Sequence, residues 1–468
     1  MSSRESNQSF IKRYDTVFAF LSFELIALAL FGIGGITGLA ILQIAAAFVA
    51  VLIIPFIQNN LPGDWKKKAL LALIPLGVFL LFTSFGAFWS KAYYDGNVLT
   101  VILYGLLTLL GGLGFFVVGY GLTQNPAGKM KYLVIAIVAG LGLYVLITGL
   151  YSLFRYGPFY VARFSGMVYY YDGVMFPVDR ETKALIGFEF VEVALSYGKM
   201  AATLLACTGV GLIPLFKKTD KKLFFIILAG AAIGLLDLIL TPYKFGLILT
   251  LIVYVVLGGA YVLLYLSKKG EKQKAIIHKA TNIAFFVLIG IVVLGVLALF
   301  LDAMTGFIRN MNIPRISASL ASDSSFLGSI RCSIEACLYG GSAGVSKKFS
   351  PVSFLFGASN AGVINCSVFE FDVLWQSGFL AFAGLVTMMF LGIRQARTFL
   401  LEGGEEEGHR LLVLGVLLAG VLYLSLKNNE APQVYSSVFM PMSRNAMSFA
   451  LIFLLGVTYA QPKKEVAA

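Results

Sequence analysis

The stretch "KFGLILTLIVYVVLGGAYVLLYLSKKGEKQK", Lys244 to Lys274, decides what kind of molecule this is. From Phe245 to Leu266 it carries no charge, and crossing hydrocarbon as a helix takes about 20 apolar residues. One lysine opens the run and a cluster of lysines closes it. That asymmetry is what a membrane span shows when its lysine-rich end faces the cytoplasm.

The same pattern recurs in both directions. A window of ~19 residues picks out about 12 spans. They are Val17–Gly34, Thr37–Ile57, Ala69–Trp89, Val98–Leu122, Tyr132–Leu153, Val193–Phe216, Leu223–Leu240, Phe245–Leu266, Ile283–Leu301, Val373–Ile393, Leu411–Leu426 and Phe439–Tyr459. Of 468 residues, 59% are hydrophobic and only 13% charged, more apolar surface than a soluble domain can hide. The expected fold is all-α, a polytopic bundle. Residues 1–301 hold nine helices, 302–372 form a large outer loop, and 373–468 hold the last three helices and a cytoplasmic tail. The start "MSSRESNQSFIKRYD" is polar, so the first apolar run reads as a span rather than a cleaved leader.

Lys and Arg number 36 against 24 Asp and Glu. In this setting the excess speaks of topology, not of nucleic acid. The segments "IKRYD", "WKKK", "GKMK", "KKTDKK", "SKKGEKQKAIIHK", "RQAR" and "QPKK" all fall on one side. The positive-inside rule makes that side, with both termini, cytoplasmic. The sequence contains no Gly-rich phosphate loop and no internal repeat, and both histidines, His278 and His409, fall in cytoplasmic segments away from any cysteine. No metal or cofactor is expected. The acidic "LLEGGEEEGH" reads as a solvated linker.

Two outer segments are long: Arg155–Glu192 and Asp302–Asp372. Loops of this length commonly bind or cover something. Cys332, Cys337 and Cys366 lie in the second, where an oxidising exterior permits a disulfide from Cys366 to either of the others. The outer side also holds Arg163, Lys244 and Arg331, with Arg309 and Arg315 further along the large loop. Each has a plain reading: Arg163 as an interfacial anchor among tyrosines, Lys244 as a snorkelling lysine, Arg331 as an exposed helix charge. Taken together, three cations from separate segments at one membrane surface suit an anionic group such as a lipid-borne diphosphate.

Glu370 and Asp372 stand in "VFEFDVLWQSG" at the mouth of the tenth span. Charges this close to hydrocarbon are costly and are usually excluded or used. As i and i+2, they share a face only in extended chain, because on a helix they point roughly 200° apart. The plain reading is that both complement the dipole of the helix they precede.

Four patterns, in order, resemble the O-antigen ligase and polymerase superfamily of integral-membrane glycosyltransferases. "ARFSG" (Ala162–Gly166) is similar to its outer-loop Arg-x-Ser-Gly. "LTPYKFGLILTLI" is similar to the turn where a basic residue opens a span. "GSIRCSIEA" with "FLFGASNAG" resembles the large loop's Arg segment and its Gly-containing turn, and "FEFDVLWQSGFLAFAG" resembles the acidic block and following span. The resemblance covers residues from about Tyr132 to Ile393.

The resemblance implies a GT-C-like enzyme of the bacterial cytoplasmic membrane. Its donor would be an undecaprenyl-diphosphate-linked oligosaccharide and its acceptor a glycan hydroxyl, with the lipid bilayer as its medium. Arg163, Lys244 and Arg331 would bind the leaving diphosphate, with Arg309 and Arg315 as possible additions. Glu370 or Asp372 would be the general base. Ligases of this group carry a histidine near the end of the large loop, and this chain has none there, which favours a polymerase over a ligase. A polysaccharide flippase is the rival from another class, though such proteins tend to use mid-membrane charges and paired broken helices.

Overall fold

The computed structural model describes residues 65–89, 109–121, 129–156, 168–171, 174–177, 199–215, 221–240, 243–267, 270–311, 331, 355–356, 369–401, 406–427 and 440–459. The expected spans Val17–Gly34 and Thr37–Ile57 lie outside these residues, and each later one overlaps a described helix. In chain order the elements are α1 (Trp65–Trp89), α2 (Leu109–Gly121), α3 (Lys129–Tyr156), β1 (Val168–Tyr171), β2 (Val174–Pro177), α4 (Lys199–Leu215), α5 (Lys221–Leu240), α6 (Lys244–Ser267), α7 (Glu271–Thr305), α8 (Phe307–Asn310), α9 (Phe369–Leu401), α10 (Glu407–Lys427) and α11 (Met440–Tyr459).

Among the described residues, five helices are long and apolar enough to cross a membrane: Met130–Ile147 within α3, Lys221–Leu240, Lys244–Leu266, Ser377–Leu400 within α9, and Glu407–Leu426. Their outer faces leave large side chains uncovered, among them Phe225 at 63% exposure, Leu251 at 64% and Val255 at 65%. Water would penalise apolar faces this wide, whereas lipid covers them. The chain is a helical membrane bundle.

Its axis is α4. Ala201, Ala202, Leu204, Leu205, Ala206, Cys207 and Val210 are all buried, because small residues let three neighbours close on the helix at once. Gly234 of α5 lies against it so closely that an added Cβ would sit 2.7 Å from the Ala202 carbonyl. Gly415 of α10 approaches the Cys207 carbonyl, at 2.9 Å by the same measure. From α6, the Tyr254 hydroxyl donates to the Ala206 carbonyl over 3.1 Å. Elsewhere α2 and α11 cross backbone to backbone, Gly119 against the Phe453 carbonyl and Gly456 against the Phe116 carbonyl.

The helices sort their ends into two sets. At one end lie the starts of α4, α6 and α9 and the end of α10, joined by contacts described below. At the other, Arg410 at the start of α10 is buried. It donates to the Phe399 carbonyl of α9 over 2.8 Å, lies 4.7 Å above the Phe399 ring and meets Glu406 at 4.0 Å.

The structure departs from the sequence reading in four places. The segment Arg155–Glu192, a loop by its sequence, carries β1 and β2. They pair antiparallel with Tyr171 opposite Val174. The large loop is shorter at both ends, since α7 continues to Thr305 and α9 begins at Phe369. There α7 stops at Gly306 (φ 68), and Asp302, on its last turn, accepts the Ile308 N–H over 2.7 Å to start α8. His278 and His409 are helical rather than in loops. Part of the acidic linker is ordered too: Glu406 reaches Arg410, and Glu407 accepts from the Tyr261 hydroxyl over 3.4 Å.

Candidate functional site

The end of the bundle that gathers the starts of α4, α6 and α9 carries a layer of polar side chains. Glu370 is the second residue of α9. Its neighbour is Ser425, near the end of α10, whose hydroxyl donates to Glu370 Oε1 in a short hydrogen bond. The other oxygen, Oε2, is buried and has no hydrogen-bond partner among the described residues. Burial therefore pushes the Glu370 carboxyl above the ordinary carboxylate range, against the smaller, opposing effect of hydrogen bonds from Ser425 and the backbone. A carboxyl with one oxygen clamped and the other buried without a partner among the described residues holds a proton more readily than an ordinary carboxylate.

Two residues before Ser425 on α10, Tyr423 is fully buried. Its hydroxyl meets that of Tyr243 at 2.9 Å, and Tyr243 sits in the tight turn joining α5 to α6, where its N–H bonds the Leu238 carbonyl. Phe245 packs edge-on against both tyrosine rings. The ammonium of Lys199, at the start of α4, lies 5.2 Å from the centre of the Tyr243 ring. The turn that holds it is fixed locally, with Thr203 Oγ1 bonding the Lys199 carbonyl and filling the space beside Gly246 of α6. A continuous set of contacts thus runs from a cation on α4, through two tyrosines, to the helix end that holds the carboxylate.

Among the residues singled out in the sequence, Glu370 and Lys244 both fall at this end. Lys244 is exposed at the first residue of α6, and Asp372 follows Glu370 in α9. Glu370 is held against α10 by its contact with Ser425. Arg331 is helical and only 8% exposed, which does not fit an ordinary surface charge. Arg309 lies in α8. Arg163, Arg315, Cys332, Cys337 and Cys366 lie outside the described residues.

Neither a protein-family model nor a curated protein matches the chain. The reading of this site therefore stands on its side chains.

Sequence reasoning passes over Lys199, Tyr243, Tyr423 and Ser425. Lys199 is visible as a charge beside a span, and Tyr243 as the neighbour of Lys244. Nothing local marks Tyr423 or Ser425, which sit in an unremarkable apolar helix and matter because of what lies across from them.

Proposed function

We propose that the chain is a membrane glycosyltransferase acting on a lipid-diphosphate-linked glycan, of the polymerase type. The observation that carries this reading is the Glu370 carboxyl, clamped by Ser425 with its second oxygen buried and without a hydrogen-bond partner among the described residues, at the same end of the bundle as Lys199 and Lys244. An acid with a raised pKa at the same end of the bundle as cations is what the transfer requires. The acceptor hydroxyl attacks the anomeric carbon and its proton passes to Glu370 Oε2. The bond from that carbon to the diphosphate breaks, and the diphosphate leaves with the electron pair, its charge met by preorganised cations. Lys244, Arg163 and Arg331 are assigned the cationic role, with Arg309 and Arg315 as additions. Asp372 is the second candidate carboxylate, two residues further along α9.

The full architecture in this reading is GT-C-like with about 12 spans by hydropathy. By the charge rule the site faces outward from a bacterial cytoplasmic membrane and both termini face inward. The test is reconstitution in vesicles with an undecaprenyl-diphosphate-linked oligosaccharide. Growth of the glycan with release of undecaprenyl diphosphate supports the reading, and Arg163→Ala and Arg331→Ala should each weaken it strongly. Transfer only to a separate lipid or protein acceptor would replace polymerase with ligase. Movement of donor across the bilayer without new glycosidic bonds would replace the enzyme with a flippase.

A further inference from the structure

We propose that Gly378 is a positioning residue, whose break in α9 sets where the Glu370 carboxyl meets Ser425. The proposal rests on the reading of Glu370 as the proton acceptor and deepens it by naming what aims that side chain.

Within α9, which spans Phe369–Leu401, the backbone at Gly378 is not helical, with φ 82 and ψ 176. That region is open to glycine and closed to side chains of L configuration. The helix is therefore two pieces, an arm at 369–377 and a span at 379–401. A glycine break just inside an apolar helix costs hydrogen bonds where water is scarce, and broken helices in membranes commonly border binding sites.

What lies on either side of the break makes it matter. The span is locked: a Cβ at Gly384 would sit 2.8 Å from both the Pro75 carbonyl and the Phe79 nitrogen of α1, and Ala381 and Leu385 are buried beside it. The arm is docked by one face. Val373 and Ser377 are 6% and 4% exposed, and with Glu370 they fall at i, i+3 and i+7, one helical stripe. Glu370 stands eight residues before the break, about 12 Å along a helix. Re-aiming the arm by ~20°, an ordinary kink, would move the root of Glu370 by ~4 Å and take its carboxyl out of reach of Ser425. One residue thus sits between a fixed span and a movable carboxylate.

A reagent that needs no glycan reads this geometry. Dicyclohexylcarbodiimide modifies protonated carboxyls in apolar surroundings, and peptide mass spectrometry gives the fraction of Glu370 modified at each pH. In wild-type protein, labelling of Glu370 should persist to higher pH than labelling of exposed carboxylates. In Gly378→Ala the pH midpoint should fall as the arm leaves its seat, and kcat should fall about 10²-fold, the scale of a small misplacement, with the donor KM little changed. Alanine at that backbone angle endangers folding, so Ser425→Ala reads the same contact from the other side. Loss of its hydrogen bond should move the midpoint up, the opposite direction. Gly290→Ala, on α7 where an added Cβ meets nothing within 4 Å, serves as a control and should leave the midpoint in place.

An unchanged labelling profile in folded Gly378→Ala, or in Ser425→Ala, overturns the proposal. If the profiles shift as described while Glu370→Gln retains full transferase activity, the positioning stands and the catalytic reading of Glu370 falls.

Discussion

Replacing Glu370 by Gln should make the protein inactive and, at neutral pH and above, more stable. The two effects have the same structural origin. Glutamine is nearly the size of glutamate and its carbonyl oxygen still accepts from Ser425, so the packing of the arm against α10 survives. What disappears is the capacity to take a proton and the charge on a buried oxygen without a hydrogen bond. Loss of a general base costs about 10²–10⁴ in rate, equivalent to roughly 3–5 kcal/mol of transition-state stabilisation. On the stability side, leaving a buried acceptor unmet costs about 1–3 kcal/mol, and more when it is charged. Exchanging carboxylate for amide should recover on the order of 1 kcal/mol of that cost.

The sign follows from linkage. The folded-state pKa of Glu370 is raised, so its favourable contribution is present below the unfolded pKa and lost as pH rises through the folded one. Wild type and Glu370→Gln should therefore have matching stability in acid and separate as pH rises, with the variant above. Thermal unfolding in detergent across pH, beside donor-dependent glycan elongation at equal protein, measures both. A merely structural Glu370, serving the dipole at the start of α9, predicts the reverse: activity kept, and stability lowered by about 0.3–1 kcal/mol. That outcome would refute the reasoning outright.

Lys199→Met should raise the donor KM about tenfold by removing a cation at the site, a change of ~1.4 kcal/mol, while Lys199→Arg restores it; an unchanged KM would remove Lys199 from the site. At the opposite end, Arg410→Ala should destabilise by roughly 2–4 kcal/mol, since it loses a charged hydrogen bond to Phe399 and a cation–ring contact. Glu406→Gln should cost under ~1 kcal/mol, because that partner is half in water; equal losses in thermal unfolding would contradict this ranking. Gly456→Val should lower the melting temperature sharply, because its side chain would have to occupy the place of the Phe116 carbonyl, and overpacking of this kind costs about 1–3 kcal/mol or more. Mass analysis of protein from an oxidising envelope should find Cys366 linked to Cys332 or Cys337, and three free thiols would rule that out.

Hydropathy is a property of contiguous chain, which is why the spans are legible in the sequence by itself. The bilayer tests each stretch of about 20 residues separately, so Phe245–Leu266 or Leu223–Leu240 needs no knowledge of partners. The lysine clusters suggest an orientation for those stretches for the same local reason. Glu370 is also conspicuous, since a carboxylate at the mouth of an apolar run stands out on its own. Its surroundings are not. That Glu370 meets α10 depends on how α9 is laid against it. The contact with Ser425 joins residues 55 positions apart, and that of Tyr243 with Tyr423 spans 180. No local pattern announces pairs at such separations, because each partner is an ordinary serine or tyrosine until another helix is laid across it. Gly378 makes the same point: glycine in an apolar helix is common, and only the tertiary fold, with α1 gripping one side and α10 the other, turns this one into a break.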